Sequence, residues 1–216
     1  MTALARNMGI AALILSGFAI VGTGLVALTY TSTKDIIAEN ERQALLANLN
    51  AVVPPEQYNN AVTEDTIQVS DPALLGTPEP VTIYRAYKGA QPVAVFATPV
   101  APDGYTGPIR LLIGVYADGT LAGVRVLSHK ETPGLGDAID ITRSDWVLSF
   151  AGKSLGDPDR EKWKVKKDGG AFDQFTGATI TPRAVVKAVR NFLIFFEKHK
   201  EKLFRARSLS TAEVPT

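Results

Sequence analysis

Hydrophobic and polar positions divide the chain into stretches of different period. From Asn7 to Thr33 no side chain is charged, and Ile10 to Tyr30 reads IAALILSGFAIVGTGLVALTY. A bilayer core of ~30 Å takes roughly 20 apolar residues in helical form, and this run supplies them. A secretory signal has an apolar centre of about 7–15 residues followed by a small-x-small cleavage site. This run is longer and no clean A-x-A follows it, so it predicts an uncleaved single-span anchor over residues 1–32. Tyr30 falls where an interfacial aromatic would sit. Gly17, Gly22 and Gly24, with Ser16 and Thr23, would admit a close neighbouring helix, although their spacing is not G-x-x-x-G. Arg6 lies on the short side of the run and Lys34 and Arg42 on the long side, a distribution that leaves the orientation open.

Beyond the run, Thr33 is placed to cap a second helix through DIIAENERQALLANL. Its apolar residues Ile36, Ile37, Leu45, Leu46 and Leu49 recur near helical spacing before Pro54-Pro55 ends it. This gives a stalk over 33–55. Residues 56–80 hold Pro, Gly and Asp with weak periodicity and read as loop with one short strand. Strand patterns follow at 81–87 and 92–98, around the hairpin loop Lys88–Gln91. Two more come at 109–116 and 121–128, around Asp118-Gly119, a strong hairpin turn. Residues 144–168 combine a short helix around Trp146 and Phe150 with the charged stretch DPDREKWKVKKDGG, read as solvated loop before partner surface.

Last comes Thr181-Pro182 as helix cap and first-turn proline. Val185, Val189, Phe192, Leu193 and Phe196 then form one apolar stripe, and Lys198, Lys200, Lys202, Arg205 and Arg207 crowd the helix end. Anionic lipid could attract that end, but a core-packed helix with solvated cations accounts for it more simply. The fold class is α+β: antiparallel hairpins with packed helices. The soluble domain spans 56–207, and 208–216 is a disordered tail.

Composition narrows the chemistry. Lys and Arg total 23 against 22 Asp and Glu, a net charge of +1 that argues against nucleic-acid binding. Cysteine is absent and the two histidines, His129 and His199, lie far apart in sequence. Thiolate zinc, iron–sulfur and cysteine-nucleophile chemistry are therefore excluded, and no metal site or catalytic residue is expected. Redox work by this chain would need an organic cofactor.

Two segments carry candidate chemistry. SHKETPGLGDAI, Ser128 to Ile139, packs His129, Glu131, Thr132, Pro133, Gly134, Leu135 and Gly136 into one loop after a strand. Its glycines would let main-chain amides approach a flat ligand; the plainer reading is a tight turn with an exposed histidine. DQFTGATITPRAVV, Asp173 to Val186, runs a Thr-Gly-Ala-Thr turn straight into a helix start. Free amides there make a phosphate site, or else Thr176 and Thr179 merely satisfy backbone amides in a capped turn.

Asp173-x-x-Thr176-Gly177-Ala178-Thr179 resembles the flavinylation motif D-x-x-[ST]-G-A-T, HKETPGLG resembles the flavin loop of the same domain, and GYTGPI, Gly104 to Ile109, resembles a third family segment. With the N-terminal span and the length, the whole chain resembles the RnfG family, the G component of the Rnf (Rsx) ion-translocating electron transport complexes. The resemblance implies FMN joined covalently, by a phosphoester, to Thr179. Thr176, Gly177 and Ala178 would shape the phosphate turn, and His129, Glu131, Thr132, Gly134 and Leu135 would form the flavin-side loop. It further implies maturation by a flavin transferase and a place in the bacterial inner membrane with the soluble domain on the periplasmic side. Expected partners are membrane subunits that include a second flavin-bearing one and an iron–sulfur one. The complex would couple ferredoxin or NADH oxidation to ion transport, this chain not being catalytic alone. The related C component of the sodium-pumping NADH:quinone reductases, and a non-redox anchored scaffold, are the competing readings.

Overall fold

A computed structural model describes residues 3–205, and the chain separates into two compact units, one ending at Leu45 and the other beginning at Leu46. The tail expected at 208–216 and the Arg207 cation lie outside the described residues.

The first unit is helical throughout. Helix α1 runs without interruption from Ala3 to Val52, where the sequence predicts a new cap at Thr33. Inside an apolar helix a hydroxyl needs no cap, because it can donate to the carbonyl one turn back. Thr33 donates to Thr29 O at 2.9 Å; Thr29, Thr31 and Ser32 do the same to Leu25, Ala27 and Leu28. The helix continues through Thr33 with these four hydroxyls bonded to its own carbonyls.

The second unit is a six-stranded antiparallel sheet backed by a long helix. Strands β1 (Thr66–Val69), β2 (Val81–Lys88), β3 (Gln91–Ala97), β4 (Val100–Ala101), β5 (Ile109–Tyr116) and β6 (Leu121–Ser128) follow in chain order. Sheet order is β1-β2-β3-β5, with β4 pairing the Ile109 end of β5 and β6 pairing β5 along its length. Both expected hairpins are present at the expected positions. The loop 56–80 contains β1 and a one-turn helix, α2 (Pro72–Leu75), capped by the Asp71 carboxylate.

Helix α3 (Ile180–Arg205) buries Val185, Val189, Phe192, Leu193 and Phe196 in one core with Ile83, Val95, Leu111 and Ile113 of the sheet. On β5 and β6, Gly114 faces Gly123 across the ladder. A Cβ on Gly114 would stand 2.4 Å from Val52 Cγ1, so the absent side chain makes room for the end of α1. Arg125 Nη2 donates to Ala51 O at 3.0 Å beside it.

The charged stretch 157–170 is not wholly solvated. Trp163 and Val165 are buried, and Trp163 packs with Phe150 and Phe172, the latter pair's centroids 4.8 Å apart. Two apolar residues among many charged ones are too few to register as a periodic pattern, yet they pin the loop.

Candidate functional site

The Asp173–Thr179 segment is held at both ends. Trp146 Nε1 donates to Asp173 O at 2.8 Å, Lys166 pairs with the Asp173 carboxylate at 2.6 Å, and the Phe175 ring meets Trp146 edge-on. Ala178 N then donates to Phe175 O at 3.1 Å, closing a four-residue turn whose third position is Gly177 at φ +80°. Such a turn requires a positive φ there, which glycine alone adopts without strain.

Arg183 N donates to Thr179 O at 3.3 Å, so Thr179 stands at the cap of α3, two residues before the expected Thr181. Thr181 lies inside the first turn, 1% exposed, and its hydroxyl donates to Glu131 Oε2. A hydroxyl committed to a buried carboxylate is not free to cap its own helix. Helix geometry leaves the amides of Ile180 and Thr181 without an intrahelical acceptor, and Pro182 has none to offer.

Glu131 joins three segments. Its carboxylate, in a residue 4% exposed, accepts from Thr106 N at 2.9 Å, from Tyr105 N at 3.3 Å and from the Thr181 hydroxyl. Gly136 lies against this group: a Cβ there would sit 2.8 Å from Thr181 Oγ1 and 3.0 Å from Glu131 Oε2. That closeness is the physical reason for a glycine at the end of the ETPGLG run.

Together these segments line a pocket of about 310 Å³. Its walls are Tyr105, Glu131, Thr132, Leu135, Gly136, Gly177, Ala178, Thr179, Ile180 and Thr181. Six of the nine expected residues therefore converge: Glu131, Thr132, Leu135, Gly177, Ala178 and Thr179. The other three stand outside the lining. His129 Nδ1 accepts from Glu131 N at 3.1 Å; Gly134 occupies an open turn at φ +76°; Thr176 is exposed. Tyr105, Gly136, Ile180 and Thr181 line the pocket without having been assigned to it. Only the GYTGPI resemblance hinted at Tyr105, because its contact with Glu131 spans 26 residues of sequence.

Near the start of α3, Arg183 holds Asp168 through two bonds of 2.7 and 2.9 Å. The guanidinium's hydrogen bonds keep the exposed Asp168 carboxyl below the usual range, and the carboxylate in turn raises Arg183. Asp140 is likewise lowered, chiefly by the Thr142 N–H it accepts at 2.8 Å. Among the described residues no group of three or more His, Asp or Glu could hold a metal ion.

An amide-rich helix start, a threonine hydroxyl and an apolar wall in one pocket suit a ligand with a phosphate at one end and a flat ring at the other. The model of the FMN-binding domain matches residues 104–194, and that of the RnfG N-terminal region matches residues 1–52. Relatives named as the G component of the ion-translocating oxidoreductase complex are similar over nearly the whole chain. The one from Pseudoalteromonas atlantica is 50% identical over 90% of both chains. The chain belongs to this RnfG family. Relatives from Vibrio cholerae (47% identical, 94% of this chain and 95% of theirs) and Pseudomonas aeruginosa (50%, 92% of each) agree. Membership in the RnfG family also brings a membrane complex with other subunits, in keeping with one helix long and apolar enough to cross a bilayer.

Proposed function

We propose that the domain is the FMN-bearing electron carrier of an ion-translocating oxidoreductase complex, with FMN esterified through its phosphate to Thr179. The observation that carries this reading is the selection among three neighbouring hydroxyls. Thr176 stands outside the pocket, and Thr181, although it lines the pocket, is buried with its hydroxyl donating to Glu131. Thr179 lines the pocket at the open end of α3. Bound there, FMN supplies reversible acceptance and release of electrons. The chain's part would be to hold it: the amides of Ile180 and Thr181 would bind the phosphate, the dipole of α3 would favour its negative charge, and the Gly177 turn would let the backbone come close. Attachment by a flavin transferase would form the Oγ1–P bond on Thr179, break the pyrophosphate of FAD and release AMP, the hydroxyl proton leaving with it.

The anchor is 1–32, the stalk 33–55 and the flavin domain 56–207, facing the periplasm from the inner membrane. A second flavin-bearing subunit and an iron–sulfur membrane subunit are the exchange partners. The quinone-reductase and scaffold readings are set aside, since the relatives are of the RnfG type and the pocket gives the flavin segments a common purpose.

Co-expression with a flavin transferase, followed by tandem mass spectrometry of the tryptic peptide Asp168–Arg183, tests the attachment. An FMN adduct on Thr179 is expected. Thr179→Val should abolish it without unfolding the domain, and Thr176→Val should at most reduce it. An adduct on Thr176 or Thr181, or an unmodified peptide, would overturn the reading. For sidedness, a cysteine placed at the exposed Ser149 should react with an impermeant thiol reagent in intact spheroplasts. Labelling only after lysis would reverse the orientation.

A further inference from the structure

Strand β1 lies at one edge of the sheet and, among the described residues, pairs with β2 alone. Arg85 N donates to Asp65 O at 3.0 Å, and in an antiparallel ladder such bonds recur at every second residue. Ile67 and Val69 therefore turn their amides and carbonyls toward Ile83 and Val81 of β2, while Gln68, and Ser70 just past the strand, turn theirs outward. The opposite edge is different: Leu121 of β6 is bonded to Gly152 and Lys153, at 2.9 and 2.7 Å. Charge, proline and register shifts are features that discourage a further strand from adding to an edge, and β1 has none of them.

Beneath this edge, between β1 and the last turns of α3, runs a groove of about 330 Å³. Ile67, Val69, Phe195 and Leu203 supply its apolar side, and His199 and Lys202 its polar side. The His199 ring rests on Phe195, their centroids 4.7 Å apart, and Lys202 is exposed. Neither makes an ion pair among the described residues. Side chains alternate across a strand, so a strand added to β1 would send every second residue into the groove beside Ile67 and Val69.

We propose that β1 receives an extended, acidic segment of another subunit of the membrane complex, added to the sheet as a further strand. Main-chain bonds to Gln68 and Ser70 supply the affinity. An apolar residue in the groove and a carboxylate two positions away, against Lys202 and His199, supply the selectivity. The proposal rests on the chain's place in a complex and is independent of where FMN is attached.

The test uses the complete complex in its own membranes. Ser70, which is exposed, is replaced by a photoreactive benzophenone amino acid, and mass spectrometry identifies the peptide crosslinked to it. An acidic segment of another subunit is expected. Gln68→Pro removes an outward amide that β2 does not use, and Lys202→Glu reverses the charge of the groove. Each should lower the crosslink yield severalfold while the domain melts like the parent, and Gln68→Thr, which keeps the amide, should crosslink like the parent. An unchanged yield in either Gln68→Pro or Lys202→Glu, in a variant that melts like the parent, would overturn the proposal. Crosslinks only to a second copy of this chain, to lipid or to a segment without acidic residues would overturn it too, as would the absence of any crosslink. If Gln68→Pro melts early, Lys202→Glu decides alone, since its side chain is exposed at the helix surface.

Discussion

The two long helices solve opposite problems with similar residues. In α1, Leu13, Phe18 and Ile20 are 76%, 75% and 73% exposed, and apolar side chains point in every direction. In α3, Val189, Phe192 and Phe196 are nearly inaccessible, along a single stripe. An apolar stripe has its partner inside the protein, whereas an apolar cylinder has to find one outside it, and lipid is the solvent that accepts such a cylinder. Internal satisfaction of hydroxyls follows the same division. The threonines and serine between Thr29 and Thr33 donate to their own helix, while Thr181 in α3 reaches across to Glu131, 50 residues away.

The comparison breaks most readily at Phe192. Replacing it by Ala should destabilise the domain by about 3–5 kcal/mol, since a buried aromatic leaves a cavity that the sheet cannot fill. Thermal melting followed by circular dichroism measures this, and a change below about 1 kcal/mol would mean that the stripe is not a core.

Phe18→Lys is the matching experiment on α1. Placing a lysine near the middle of the apolar run should cost roughly 2.5–3.5 kcal/mol of insertion free energy. Its readout is release of the protein from membranes by alkaline carbonate, with the melting of the flavin domain unchanged. A fall in the domain's melting temperature would show that this surface serves the fold rather than the bilayer.

The smallest effect belongs to the water-facing loops. Asp140 has its folded pKa lowered mainly by the Thr142 N–H. A lowered carboxyl contributes stability above its unfolded value of about 3.9, and that contribution is lost as pH falls through the folded value. Asp140→Asn should therefore melt slightly below the parent at neutral pH and converge with it in acid. A gap that persists unchanged into acid would assign the loss to the side chain's shape instead of its charge.

Much of this architecture was legible without coordinates because it rests on local periodicity. The apolar run from Ile10 to Tyr30, the strands from 81 to 128 and the stripe of α3 each repeat within a few residues, and hairpin turns announce themselves in adjacent positions. Failures came where a side chain's partner lay elsewhere than its residue type suggests. Thr33 and Thr181 both carried the residue type of a cap, but capping is one of several ways to satisfy a hydroxyl. Trp163 and Val165 looked solvated among lysines because burial depends on what folds over them.

Sequence by itself determined which residue types could serve the pocket: a threonine-bearing turn leading into a helix, glycines where the backbone must turn or approach closely, and no cysteine to compete. Only the tertiary structure decided which of the two hydroxyls lining the pocket at the start of α3, Thr179 and Thr181, is spent. That choice is made by Glu131, whose carboxylate draws together Tyr105, Thr106 and Thr181 across 26, 25 and 50 residues of chain. No local pattern encodes such a contact, because a hydrogen bond depends on distance in space and the sequence records only order.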